Sequence, residues 1–114
     1  MSKEEPLVSV VINCYNGERF LKKAIDSVYA QSYQNWEIIF WDNRSEDKSA
    51  EIFKSYNDKR FKYFYAKKHT SLYKARNLAI KESSGELLAF IDTDDLWEKN
   101  KGRWEKKFVV GSFK

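Results

Sequence analysis

Leu87 to Trp97, LLAFIDTDDLW, sets four apolar residues and an isoleucine directly before three carboxylates, Asp92, Asp94 and Asp95. An apolar run of that length, stopped by polar residues, predicts a buried strand. The acids then fall at its carboxyl end, the edge of an open parallel sheet where ligands bind. Carboxylates held this close repel one another unless a cation relieves them. A divalent ion carrying a diphosphate is the natural candidate, because hard cations take carboxylate oxygens. The plainer alternative is a turn that caps the next helix, since Asp serves both purposes. That account suits one acid better than three in four positions.

Working outward, the remaining chain alternates between strand and helix patterns. Leu7–Ile12 is rich in β-branched residues and predicts the first strand. Asn16-Gly17 is turn chemistry, and Asn16 is placed to cap a helix beginning near Glu18. Phe20, Leu21, Ala24, Ile25 and Val28 then recur at helical spacing. Trp36–Trp41 predicts the second strand, and Ile52, Phe53 and Tyr56 the apolar face of a short helix. Phe61–Tyr65 predicts a third strand with Phe61, Tyr63 and Tyr65 on one face. Leu72, Ala75, Leu78 and Ala79 mark a third helix, which Ser83-Ser84-Gly85 should end as a C-cap. Leu87–Ile91 is the fourth strand, and a last helix carries Trp97, Trp104 and Phe108. Such alternation predicts α/β layering: a mostly parallel sheet of about four strands with helices on both faces.

In such a sheet the loops after strands one, two and four meet at one edge. They carry Tyr15, Asp42 and the acidic cluster. Tyr15 offers a ring on which a nucleobase can stack. Asp42 can accept hydrogen bonds from a base or a ribose, or can simply cap the following helix. The terminal acids can hold a metal bridging two phosphates, so that a diphosphate leaves with its charge neutralised. There is no glycine-rich phosphate loop of either common pattern. Arg76 either reaches this pocket or forms a surface ion pair, and spacing does not separate the two. His69 is a lone loop histidine, and Cys14 is small and packed.

The chain has 114 residues, 42% hydrophobic and 33% charged, which suits one globular domain over residues 1–114. One cysteine excludes an internal disulfide framework, and one histidine excludes a histidine-rich metal site. No apolar run approaches a membrane span, and MSKEEP is not a secretory signal. A cytoplasmic location fits these features, including one at the inner face of a membrane. The net charge of +4 is modest, and the basic residues form pairs such as Lys67-Lys68, not long runs.

Two ordered blocks, PLVSVVINCYNGERFLKKAIDSVYAQSYQNWEIIFWDN from Pro6 and ARNLAIKESSGELLAFIDTDDLW from Ala75, resemble the N-terminal, nucleotide-binding half of a family 2 glycosyltransferase of the Rossmann-like GT-A fold. The resemblance runs from about Pro6 to Trp97. It implies a nucleoside-diphosphate sugar donor (UDP, GDP or dTDP), Mg2+ or Mn2+, and transfer with inversion to a saccharide or lipid-linked glycan. On it, Asn13 and Tyr15 line the base pocket, Asp42 binds the base, and Arg76 lies near the donor. Asp92-Thr93-Asp94 matches the D-x-D motif, with Asp94 and Asp95 nearest ribose and metal. Departures are Asn13 for the usual Pro or Thr, Asn43 for a second acid, Thr70-Ser71 for glycines, and Leu78-Ala79 for a small residue and glycine.

In that family the acceptor site and general base lie in a second half, and inverting transfer needs such a base. Only Glu98 and Glu105 follow Asp95 as acids. Donor-half architecture is therefore expected, without catalysis by this length of chain alone. The alternative is a degenerate, non-catalytic module of the same fold that self-associates through exposed aromatics such as Trp104 and Phe108. A phospho-receiver domain would need acids after the first strand, where Asn13-Cys14-Tyr15-Asn16 stands. A nucleic-acid partner is disfavoured, since an acidic ligand edge repels phosphate.

Overall fold

Val8, Val10, Val11 and Ile12 are each fully buried, and this strand has a hydrogen-bonded neighbour on both sides. The computed structural model describes residues 6–92. Within them the order is β1 (Val8–Cys14), α1 (Glu18–Tyr29), β2 (Trp36–Asp42), α2 (Ser49–Lys54), β3 (Phe61–Tyr65), α3 (Leu72–Lys81) and β4 (Leu87–Asp92). The sheet order is β3-β2-β1-β4 and every pairing is parallel. The α/β expectation holds, and the strands follow their predicted positions closely. β1 runs two residues further than expected, through Asn13 and Cys14. Both are small enough to continue the ladder between two flanking strands.

Strand alternation divides the core into two layers. Val10, Ile12, Ile38, Phe40, Ala89 and Ile91 face Leu21, Ala24, Ile25 and Val28 of α1 and Phe53 of α2. Val11, Ile39 and Trp41 face Ala75 and Ala79 of α3. Burying each large aliphatic side chain in these layers contributes roughly 1.5–3 kcal/mol. The two crossovers from β1 to β3 move one way across the sheet, and the return from β3 to β4 moves the other. Right-handed connections must then place α3 on the opposite face from α1 and α2. The resulting switch point lies between the carboxyl ends of β1 and β4, where Asn13 pairs with Asp92.

Two capping expectations are corrected. The N-cap of α1 is Gly17, with no side-chain cap, and Asn16 instead takes a left-handed backbone at φ 52°. Donors at this helix start are met from the β2–α2 loop and the first residue of α2: Glu18 N donates to Asp47 Oδ2 (3.1 Å) and Gly17 N to Ser49 Oγ (3.1 Å). A helix end needs its donors satisfied, and a neighbouring loop serves as well as a local cap. Gly85 is not a left-handed C-cap either, because no glycine among the described residues has positive φ and the cap of α3, Glu82, is in the right-handed region. Its role is close approach. A Cβ there would lie 2.6 Å from the Leu7 carbonyl oxygen and 2.7 Å from Ser9 N.

That approach belongs to a buried polar knot at the amino edge of the sheet. Glu37 accepts from Ser9 Oγ (2.6 Å), Lys62 Nζ (2.8 Å) and Ser84 N (2.7 Å), and Gly85 N donates to Ser9 Oγ (2.7 Å). The knot joins β1, β2, β3 and the turn into β4. Burial pushes the Glu37 carboxyl upward, but the hydrogen bonds from Lys62, Ser9 and Ser84 outweigh it and hold the group below its usual range.

Because the folded Glu37 carboxyl titrates below its usual range, its stabilisation is complete above the unfolded carboxylate range near about pH 4.3 and is lost as pH falls further below it. Glu37→Gln is expected to destabilise by about 1.5–3 kcal/mol at neutral pH and to flatten the acid limb of stability against pH, as read by urea unfolding across pH. Gly85→Ala forces backbone apart and is expected to cost about 1–3 kcal/mol in the same assay.

Candidate functional site

The carboxyl ends of β1 and β2 rise into two loops that are laced together. Asn16 N donates to Ser45 Oγ (2.8 Å), Glu46 N to Asn16 Oδ1 (2.7 Å), and Lys48 N to Glu18 Oε1 (2.8 Å). Asn16 tolerates its left-handed backbone because a short amide side chain can bond locally. The lacing fixes the rim from which Tyr15 projects, 45% exposed.

A third segment, the loop from β3 to α3, closes the other side. Asn43 follows β2 and is buried. Its side-chain amide pairs with one residue of that loop in both directions: Nδ2 donates to the Thr70 carbonyl (2.8 Å), and Oδ1 accepts from Thr70 N (3.0 Å). His69 Nδ1 lies 3.1 Å from the Asn43 carbonyl oxygen. A carbonyl only accepts, so Nδ1 carries the proton in the neutral ring and Nε2 is left as an acceptor. The His69 ring meets Tyr15 edge to face, with centroids 4.5 Å apart. Such a pair adds about 0.5–1.5 kcal/mol and restrains both rings.

Between these segments lies a cleft of about 250 Å³, lined by Asn13, Cys14 and Tyr15 on one side, Asn43 behind, and His69 to Leu72 with Ala75 on the other. Its walls are mostly apolar with a few convergent amide, hydroxyl and imidazole groups, the usual make-up of a small-molecule site. Ser71 also caps α3 by accepting from Lys74 N (3.2 Å), so the loop is pinned at both ends.

Asn13 and Tyr15, both expected at the site, line this cleft. Asp42 does not. It is fully buried; Oδ1 accepts from Ser45 N (2.8 Å) and Oδ2 from the Tyr63 hydroxyl (2.6 Å). Burial, then the bond to Asp42, pushes the Tyr63 hydroxyl well above its ordinary value. The reason is strand alternation. Asp42 shares the parity of Trp36, Ile38 and Phe40, which face α1 and α2, whereas the cleft opens on the α3 side. The next residue, Asn43, takes the position on the wall. Arg76 is turned toward β4, with its guanidinium 5.0 Å from the Phe90 ring centre. It therefore lies beside the strand that ends in Asp92, not among the cleft-lining residues.

Asp92 ends β4 in register with Asn13, one strand from the cleft. Asp94, Asp95 and the aromatics Trp104 and Phe108 lie outside the described residues. Among the described residues no three acids, histidines or cysteines gather as a metal site. The contributions of Asn43, His69, Thr70 and Ser71 were missed in the sequence. Asn43 stood out there only as a departure from an acid, and nothing in the spacing ties the β3–α3 loop to the ends of β1 and β2.

The glycosyl transferase family 2 profile matches residues 9–106. The chain is 33% identical over 112 residues to the putative teichuronic acid biosynthesis glycosyltransferase TuaG of Bacillus subtilis, covering 96% of this chain and 44% of that one. It is 36% identical over 98 residues to the Escherichia coli UDP-Glc:α-D-GlcNAc-diphosphoundecaprenol β-1,3-glucosyltransferase WfgD, covering 86% of this chain and 39% of that one. The chain thus spans less than half the length of these relatives. Among solved structures, the Pyrobaculum calidifontis mannosyltransferase PcManGT, in complex with GDP-Man and Mn2+, superposes with a TM-score of 0.72 at 21% identity. The match covers 94% of this chain and 33% of that one, and it shows the GT-A fold. The four-stranded parallel sheet, its helices on both faces and the profile match agree: the chain belongs to glycosyl transferase family 2.

Proposed function

We propose that this chain binds the donor in a glycosyl transfer, holding a nucleoside-diphosphate sugar at the carboxyl edge of its sheet. The observation that carries the reading is the cleft in which Tyr15, Asn43 and the His69–Leu72 loop enclose a small, largely apolar space one strand away from Asp92. The base lies against the Tyr15 ring, which His69 holds edge-on. Cleft amides and hydroxyls meet its polar rim. Asp42 acts from behind, fixing the β2–α2 turn through Ser45, not by touching the base. The pyrophosphate then runs toward β4 and the acidic segment that follows it.

A divalent cation fits that segment by donor chemistry, since Asp92, Asp94 and Asp95 supply the carboxylate oxygens that Mg2+ and Mn2+ prefer. Once bound, such an ion offsets the charge on the departing diphosphate. Arg76, placed on α3 beside β4, adds fixed positive charge on the same side. Among relatives and neighbours, WfgD is described as using UDP-Glc, and PcManGT was solved with GDP-Man and Mn2+; both support a nucleotide-sugar donor for this chain. In inverting transfer the acceptor hydroxyl forms the new bond to the sugar carbon as the bond to diphosphate breaks, and its proton passes to a general base. Neither Glu98 nor Glu105 is assigned as that base or to the acceptor site.

Thermal unfolding with UDP, GDP or dTDP, each with and without Mn2+, checks the proposal. A ligand that binds only the folded chain stabilises it by about 2.7 kcal/mol at a hundred times its Kd, which for a domain of this size is a rise of well over 5 °C. At least one diphosphate should give that rise. Asp94→Ala should remove its metal-dependent part, and Tyr15→Ala should weaken binding by about fivefold to a hundredfold through lost stacking. No rise for any diphosphate at millimolar concentration would contradict the reading.

A further inference from the structure

Residues 59–81 contain eight lysines and arginines and no acid, while the remainder of the chain is net acidic. In sequence these cations are only singles and pairs. The fold gathers several of them around a second depression. Because α3 must return across the sheet to β4, it packs on β1 and β2 and leaves the outer strand β3 uncovered on that face. A groove of about 480 Å³ results, floored by Trp41, Phe64 and Tyr65 and rimmed by Lys67, Lys68 and Lys74. Glu82 lies along its wall as the one acid among the lining residues.

Arg60 and Lys62 of the same stretch are spent on Asp58 and Glu37. Lys67, Lys68 and Lys74 form no ion pair among the described residues, and all three are exposed. The loop that carries the first two is held firmly. Arg44 Nη1 donates to the carbonyls of Ala66 (3.2 Å) and Lys67 (2.9 Å), and its guanidinium lies 4.9 Å over the Tyr65 ring. Trp41 is only 9% exposed, and its buried indole N–H has no acceptor among the described residues. Tyr65, 50% exposed, stands in the groove with the lysines, and Tyr73, 78% exposed, directly precedes Lys74 on α3. Exposed tyrosine interleaved with unpaired lysine is the composition of a surface that sits at a lipid–water boundary.

We propose that this face docks on an anionic phospholipid surface, with a headgroup phosphate among Lys67, Lys68 and Lys74 and with Tyr65 and Tyr73 at the boundary. The β3–α3 loop would then touch lipid on one side, while Thr70 also lines the donor cleft on the other. The inference rests on the lysines and aromatics, not on the donor reading, and its test uses no nucleotide.

Co-sedimentation of the 114-residue chain with vesicles of phosphatidylcholine alone, or mixed with phosphatidylglycerol, is the experiment. Binding is expected only to the mixed vesicles and should weaken with salt. Each lysine near an anionic surface is worth about a fivefold change in partition, so Lys67→Gln, Lys68→Gln and Lys74→Gln together should weaken binding by about a hundredfold. Tyr73→Ser alone should weaken it severalfold. Removing the same charge from the α1–α2 side, by Lys22→Gln, Lys23→Gln and Lys48→Gln, should change it far less. Thermal unfolding confirms that each variant is folded. No binding to the mixed vesicles, equal binding to neutral ones, or equal loss in the two lysine sets would overturn the proposal. Binding to single-stranded DNA without binding to vesicles would overturn it too.

Discussion

β1 is pinned by parallel pairing on both edges and by packing on both faces, and most of what the chain does follows from that constraint. A strand so enclosed cannot slip by one residue without exchanging its two buried faces. Its register with β2 and β4 therefore fixes which residues stand at the carboxyl edge: Cys14 opposite Asp42, and Asn13 opposite Asp92. The Glu37 knot acts at the other end of the same strands. It ties the turn before β4 to Ser9 of β1 and so sets where the acidic segment begins. Stability at the amino edge and placement at the carboxyl edge are thus two results of one register.

The cleft depends on a second fixed contact, the two-way pairing of the Asn43 amide with Thr70. A side chain that donates and accepts against one backbone residue behaves like a short piece of sheet. It carries the order of β2 into the β3–α3 loop, beside the bonds from Arg44 to the Ala66 and Lys67 carbonyls. His69 and Tyr15 complete the link back to β1. The aromatic wall is therefore prepared before any ligand arrives, which lowers the ordering cost of binding. Thr70 lines the cleft and the lysine groove alike, so one short loop serves both of the faces described above.

Much of this was legible in the residues. Apolar runs bounded by Asn-Gly, Asn-Asp and Ser-Ser-Gly located all four strands, and the alternation of element types led to the parallel sheet. Asn13 and Tyr15 could be expected at this edge of the sheet because Asn13 falls near the end of β1 and Tyr15 directly follows it. Asp42 illustrates what was not legible. Its position at the carboxyl end of β2 was right, but whether it faced the cleft or the core turned on a single step of strand alternation. The core-facing parity puts Asn43 on the wall instead. The lysine groove was hidden for a different reason: Trp41, Phe64, Lys67 and Lys74 come together only once the direction of α3 across the sheet is known. Gly85 looked like a helix stop, yet its need is space beside Leu7 and Ser9, a contact that no local pattern records.

The central claim is that a nucleotide sits at the carboxyl edge of β1 and β2, against Tyr15. The most direct measurement is an amide NMR titration of the 15N-labelled chain with UDP and with GDP in the presence of Mg2+. The account predicts shifts confined to the β1–α1 loop, Asn43, the His69–Leu72 segment and residues 92–95, with α1 and α2 unmoved beyond their first residues. Shifts centred on the outer faces of α1 and α2, or none at millimolar nucleotide, would contradict it.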